Sequence, residues 1–356
     1  MRALTWLVRC AQELSTVDSR VIDFIRRTVM RACLGCAIAG AIAIAMSPIG
    51  AATGYAAQKI SLAHSTWIGY GALYVAKEKG YFEKAGLDVD LRVIEASSDA
   101  IAAMQAGRID VVASTIDNFS LFAGNGANLS LLIGLDESSG GDGIVAKNTI
   151  ASVPDLKGQT IAVQMGSVSQ FLLSEALDKA GLKLSDVKTI DMKSGDAGAA
   201  FVAGRVDAAV TWEPWLSKAK ATDFGKILID TKSLPGLIVD AIAVRPEYLR
   251  DNPKAVEGLV RGYFKAIAFL QTNPTEAKEI IARNLKMTPA SLDSSWNDVM
   301  FFGKAENLSF FVSPTGGTSP ALELAKNAGS FYARIGVLKK APAPGSMIAF
   351  KAPADN

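Results

Sequence analysis

Lys179-Ala180-Gly181-Leu182, followed by Ala203-Gly204-Arg205-Val206-Asp207-Ala208-Ala209, repeats an earlier pair of segments almost residue for residue. The earlier pair is Lys84-Ala85-Gly86-Leu87 and Ala106-Gly107-Arg108-Ile109-Asp110-Val111-Val112. Each copy reads helix, glycine, strand, helix, glycine, strand, because glycine tolerates the left-handed turn that ends a helix. Alternating strands and helices predict an α/β chain, and two like copies predict two like lobes with a cleft between them. A ligand in such a cleft meets the loops beyond the carboxyl ends of the strands. Those loops are Ser114-Thr115-Ile116-Asp117 in one copy and Thr211-Trp212-Glu213-Pro214 in the other.

Outward from the repeat, Lys59–Ala63, Val89–Ile94, Val111–Thr115 and Leu129–Leu135 read as strands, with helices at Gly71–Lys79 and Ala100–Ala106. The Gly-rich run Ser138–Gly143 breaks the pattern, and Ile144–Ala146 is a short strand crossing out of the first lobe. Thr160–Gln164 is a strand, Ser167–Ala180 a helix, and Leu237–Val244 a returning strand. Pro246 then opens a helix at its first position. The tail from Pro253 to about Gly336 is mostly helical, without a further strand-rich unit, and completes the first lobe. The expected divisions are an export signal at 1–57, lobe 1 at 58–143 plus 240–340, lobe 2 at 144–239, and a loose, Ala- and Pro-rich tail at 341–356.

The net charge of +2 is misleading, since residues up to 58 hold six arginines and three acids, leaving the remainder at −1. No basic field for nucleic acid follows. Arg26, Arg27 and Arg31 precede an apolar run from Ala32 to Met46 and then small residues to Ala57. Roughly 15 apolar residues are too few to span a bilayer but suit the h-region of an export signal. The Arg26-Arg27 pair fits a twin-arginine signal, and a start at Met30 fits a conventional one. Both end in the periplasm. Cys36 lies at the start of the h-region rather than its end, which argues against a lipoprotein. Cys10, Cys33 and Cys36 all fall in this segment, so the mature chain is expected to lack disulfides, thiol nucleophiles and zinc-thiolate sites.

Several motifs in fixed order extend this reading: Trp67-Ile68-Gly69-Tyr70, Ala76–Phe82, Gly86-Leu87-Asp88-Val89, Asp155-Leu156-Lys157-Gly158, Gly166-Ser167, Ala203–Ala208 and Trp212-Glu213-Pro214. Together they resemble the solute-binding proteins of ABC importers, of the nitrate, taurine and aliphatic-sulfonate class. The resemblance implies the type II periplasmic-binding fold: two lobes, each a mixed sheet flanked by helices, joined by two crossover strands. It also implies an exported, soluble, monomeric carrier that hands a small solute to a membrane permease driven by an ATPase.

The residues themselves supply a candidate site. Trp67 follows a strand directly, where its flat ring would overhang the cleft or else be buried between sheet and helix. Gly166 and Ser167 precede a helix whose free amides form an anion site, or Ser167 is an ordinary N-cap. Ser114 and Thr115 hold the analogous place in the first lobe. Asp136, Asp142, Glu213 and Asp240 are acids near the cleft or the crossovers, and a carboxylate there repels an anion but pairs with an ammonium. Glu213 is alternatively a helix-start residue, and Asp142 a turn residue. Two acids facing the ligand would favour a zwitterion such as taurine over nitrate. The expected ligand-binding set is therefore Trp67, Ser114, Thr115, Asp142, Gly166, Ser167, Trp212, Glu213 and Asp240, with no catalytic residue, metal or cofactor. His64, the only histidine, cannot supply a metal cluster or triad and reads as a strand-end residue.

Two rivals share the implied fold. A pyrimidine-precursor synthase calls, by its resemblance, for a cysteine-rich motif and a reactive histidine with pyridoxal phosphate, which a cysteine-free mature chain does not offer. A carrier of the thiamine pyrimidine would stack its ring on Trp67 and Trp212, whereas a taurine carrier would need the carboxylates.

Overall fold

The computed structural model describes residues 57–313 and 316–351. Residues 1–56 of the expected export signal lie outside the described residues, as do 352–356 of the expected tail. Among the described residues no helix is long and apolar enough to cross a membrane.

In chain order the first elements are β1 (Gln58–His64), α1 (Gly71–Glu78), β2 (Leu87–Val93), α2 (Ser97–Gln105), β3 (Val111–Thr115), α3 (Ile116–Gly124), β4 (Ser130–Ser138) and β5 (Asp142–Lys147). The second copy contributes β6 (Thr160–Val163), α4 (Val168–Lys179), β7 (Lys188–Asp191), α5 (Ser194–Val202), β8 (Ala208–Trp212), α6 (Trp215–Lys220) and β9 (Gly225–Asp230). There follow β10 (Val239–Val244), α7 (Pro246–Asp251), α8 (Pro253–Thr272), α9 (Pro274–Asn284), α10 (Pro289–Ser295), β11 (Val299–Phe301), α11 (Lys304–Phe311) and α12 (Pro320–Arg334).

The strands form two sheets with the same plan. One has the order β2-β1-β3-β10-β4-β11, the other β7-β6-β8-β5-β9. In each, the two strands flanking the central β1 or β6 are parallel to it, and the next strand, β10 or β5, is antiparallel. The repeat seen in the sequence is thus a repeat of structure. Its four glycines, Gly86, Gly107, Gly181 and Gly204, all take φ between 72° and 78°, the left-handed region that a Cβ disfavours. The helix before Gly86 is a single 3-10 turn, Glu83–Ala85, shorter than its counterpart α4.

Apolar layers cover both faces of each sheet. α1, α8 and α9 supply residues such as Leu73, Tyr263, Leu259 and Ile281 to one face of the first sheet, while Phe119, Phe310 and Leu324 fill the other. Leu172 and Leu177 cover one face of the second sheet, Phe201 and Leu216 the other. Residues of the helical tail pack against the first sheet, and the tail also holds β11, an edge strand paired to β4 that three residues are too few to reveal by periodicity.

The chain crosses between sheets twice, after β4 and after β9, and the crossings are stitched together. Thr231 Oγ1 accepts from the Gly140 amide (2.7 Å) and bonds Ser138 Oγ (2.9 Å). The Ser138 amide donates to the Ile238 carbonyl. Residues 341–351 correct the expectation of a loose tail. The Ala349 amide donates to Leu131 O, Met347 is buried, and Phe350 stacks on Phe311 with ring centroids 4.8 Å apart. Apolar anchors at every few positions hold a segment whose Ala and Pro content alone suggests freedom.

Candidate functional site

Strand direction builds the site. Because β10 runs antiparallel to β3, and β5 antiparallel to β8, each returning strand begins beside the carboxyl end of a parallel one. Asp240 therefore lies opposite Thr115, and Asp142 opposite Trp212. One carboxylate from each lobe arrives at the inter-lobe cleft, where Trp67, Ser114, Thr115, Asp142, Ser167, Trp212 and Asp240 line one cavity of about 40 Å³. An adjoining outer compartment of about 300 Å³ shares Glu95, Gln164 and Trp212 with it.

Two members of the expected set are not brought there. Glu213 is buried, but its carboxylate accepts from the Ser217 amide (3.1 Å) and hydroxyl (2.8 Å), tying it to the first turn of α6. The helix-start role wins because a donor pair one turn along satisfies both oxygens locally. Gly166 has φ 65°, and its amide is taken by Gln170 Oε1 at 2.7 Å, so that amide does not serve an anion in the cleft. Ser167 lines the cavity but acts as the N-cap of α4: its hydroxyl accepts from Ser169 N (3.2 Å) and donates to Gln164 O (2.8 Å).

Trp67 combines both of its readings. It is 6% exposed and packs in the core, yet borders the cavity. Its indole Nε1 donates to Asp136 Oδ1 at 2.8 Å, and a Cβ on Gly141 would stand 2.4 Å from its ring. Glycine at 141 is thus required by the ring's position. His64 is buried and structural. Its Nδ1 donates to Ser65 O (2.7 Å), leaving Nε2 to accept from the Tyr74 hydroxyl (3.0 Å), and burial lowers its pKa.

The cleft also holds residues that sequence reasoning missed. Tyr70, three residues beyond Trp67, donates its hydroxyl to Asp240 Oδ1. Asn118, one helical turn after Ser114, donates to Ser114 Oγ (3.2 Å), and Ser114 in turn donates to Ser97 Oγ (3.0 Å). Asn118 Oδ1 is sealed from solvent without a partner. Glu95 brings a third carboxylate to the lining, whose residues include neither lysine nor arginine.

Burial dominates the electrostatics. It pushes the Asp142 carboxyl up to about 7, opposed by a hydrogen bond from Ser138 and aided by repulsion from Asp117 and Glu213. Asp240 is driven upward by burial and then by Asp136. Asp117, behind the cleft, is pushed by burial to about 6. Such carboxylates call for a cation or a proton, because an unpaired buried charge is costly.

A family model described as NMT1/THI5 like matches residues 67–277, more than half of the chain. The chain belongs to the NMT1/THI5-like family. Its relatives include a protein of Escherichia coli (strain K12) provisionally named as aliphatic sulfonates-binding, 30% identical over 275 residues that cover 76% of this chain and 84% of the relative. Among solved structures, the alkanesulfonate-binding protein SsuA of Xanthomonas axonopodis pv. citri, bound to MOPS, superposes with a TM-score of 0.69 at 21% identity, covering 82% of this chain and 98% of SsuA. The desulfurization enzyme DszB superposes with a TM-score of 0.58 at 18% identity, over 82% of this chain and 97% of the enzyme. This NMT1/THI5-like chain therefore has the two-lobed α/β periplasmic-binding fold expected from its repeat. Since that fold also carries an enzyme, the site rather than the fold decides the functional reading.

Proposed function

We propose that the protein is the extracytoplasmic solute-binding component of an ABC importer and that its solute is a small amino-sulfonate of the taurine type. The observation that carries this reading is the lining of the inner cavity: Glu95, Asp142 and Asp240 without a lysine or arginine, and an unpartnered acceptor on Asn118, while Lys193 and Lys218 line only the outer compartment. Such a surface repels nitrate and a plain alkanesulfonate, and receives an ammonium, which brings a positive charge and several N–H donors. The sulfonate end is supported by the sulfonates for which the relatives are named and by the hydroxyl and amide groups of Ser114, Ser97 and Gln164 on the same walls. The protein works as a periplasmic monomer, and the two lobes present the loaded state to a permease and its ATPase. Its leader is removed between about Ala52 and Gln58, where small residues suit signal peptidase, which N-terminal sequencing of periplasmic material checks.

The test is calorimetry and thermal shift with taurine, ethanesulfonate and nitrate. Taurine is expected to bind and to stabilise by about 2.7 kcal/mol at a hundredfold excess over its Kd, and ethanesulfonate to bind far more weakly. Equal or tighter binding of ethanesulfonate or nitrate would overturn the amine assignment.

A further inference from the structure

Beneath the cleft lies a second acid that the solute site does not use. Asp136 on β4 is the register partner of Asp240 on β10, and both are almost fully buried. Directly opposite residues of an antiparallel pair stand on one face with Cβ atoms roughly 4.5–5.5 Å apart, so the two carboxyls are neighbours. Each holds one fixed donor on its outer side: Trp67 Nε1 to Asp136 Oδ1, and the Tyr70 hydroxyl to Asp240 Oδ1. Asp136 Oδ2 is sealed without any protein donor, and a Cβ on Gly69 would stand 2.1 Å from it, so backbone closes that side.

Two carboxylates at this distance cannot both ionise without a neighbouring cation, and the groups around them supply none. Asp142 from β5 and Glu137 from β4 face Asp136, while Asp142 and Asp117 from α3 face Asp240. Tyr263 from α8, whose hydroxyl is committed to the Leu135 carbonyl, stands on the far side. We propose that Asp136 and Asp240 share a single proton across the β4–β10 ladder, and that capture of the solute is proton-linked through this pair. The shared proton satisfies the orphaned oxygen and keeps the empty cleft folded. When an ammonium reaches Asp240, its positive charge favours the fully ionised pair, and the shared proton leaves to solvent, one for each solute bound. Asp136 never touches the solute; it is a positioning residue that sets the charge Asp240 presents. This second half rests on the amine reading of the solute, while the first half stands without it.

Two measurements separate the halves. In ligand-free protein carrying ¹³C-labelled aspartate, the carboxyl carbons are followed against pH. The pair is expected to keep one proton far above the ordinary aspartate value of about 3.9, and Asp136→Asn to abolish that retention at Asp240. Ionisation of both carboxyls near the ordinary value in the wild type would overturn the shared proton. Calorimetry with taurine in buffers of different ionisation heat then counts protons. The wild type is expected to release about one proton more per taurine than Asp136→Asn, with binding retained, since Asp142, itself raised to about 7, contributes equally in both. Binding without proton exchange in the wild type would overturn the linkage. Failure of taurine to bind would overturn the solute assignment, and the ligand-free titration would still decide the pair.

Discussion

Tyr332 and Ser167 join the two lobes at the back of the cleft: the single hydroxyl hydrogen of Tyr332 on α12 is shared between the Ser167 carbonyl at 3.1 Å and Asp117 Oδ2 at 3.0 Å. Around this contact Phe171 of α4 packs with Phe331, Leu121 and Leu338. Arg334 on α12 adds an ion pair to Asp178 on α4 at 2.8 Å. The cap of the helix facing the solute is thereby fastened to the first lobe by a single buried hydroxyl.

Tyr332→Phe removes that donor from the buried Asp117 carboxylate, while the Ser167 carbonyl keeps the Phe171 amide. A loss of about 1–3 kcal/mol is expected, read from urea denaturation. The Asp117 carboxyl should rise further above about 6, since the tyrosine hydrogen bond now lowers it.

Asp142→Asn and Asp240→Asn test the two acids that face the solute, one from each lobe. Each substitution should weaken taurine by roughly 2–5 kcal/mol, the size seen when one member of a buried hydrogen-bonded charge pair is lost. Ethanesulfonate, lacking the amine, should lose nothing or gain. Titration calorimetry on both variants with both ligands gives the answer.

Glu213→Gln behaves differently. Its carboxylate serves Ser217 rather than the cleft, so taurine and ethanesulfonate should be affected alike and only slightly. The folded state should lose about 1 kcal/mol from the weakened helix start, visible as a lower midpoint in urea. A loss confined to taurine would return Glu213 to the solute site.

The pH dependence of the ligand-free protein has a definite sign. Burial raises the Asp142 carboxyl to about 7 in the folded state, against about 3.9 unfolded. The folded protein then binds the proton more strongly than the unfolded chain, so stability is greatest below the unfolded value and declines as pH rises through the folded one. Thermal midpoints should therefore fall between pH 4 and pH 8, and Asp142→Asn should flatten that fall. An equal slope in the variant would place the effect elsewhere.

By itself, the sequence determined the two-lobed α/β plan. The duplicated Lys-Ala-Gly-Leu and Ala-Gly-Arg segments encode helix stops that only a residue free to take positive φ can make, and Gly86, Gly107, Gly181 and Gly204 all do so. Asp142 and Asp240 were legible as candidates because both are acids beside the crossovers. Which acids line the cleft was decided only by the tertiary structure. Asp136, Asp142, Glu213 and Asp240 are alike in the sequence, but register across β4, β10 and β3 puts Asp240 in the wall and Asp136 beneath it. Glu213 turns away because Ser217 offers two donors within one turn. Tyr70 and Asn118 gained their places from partners far along the chain or across a helix turn, and the tail was pinned by Phe311 stacking on Phe350. Local patterns report on turns and periods, whereas the direction of a side chain depends on which strand lies beside it, and that strand is often a hundred residues away.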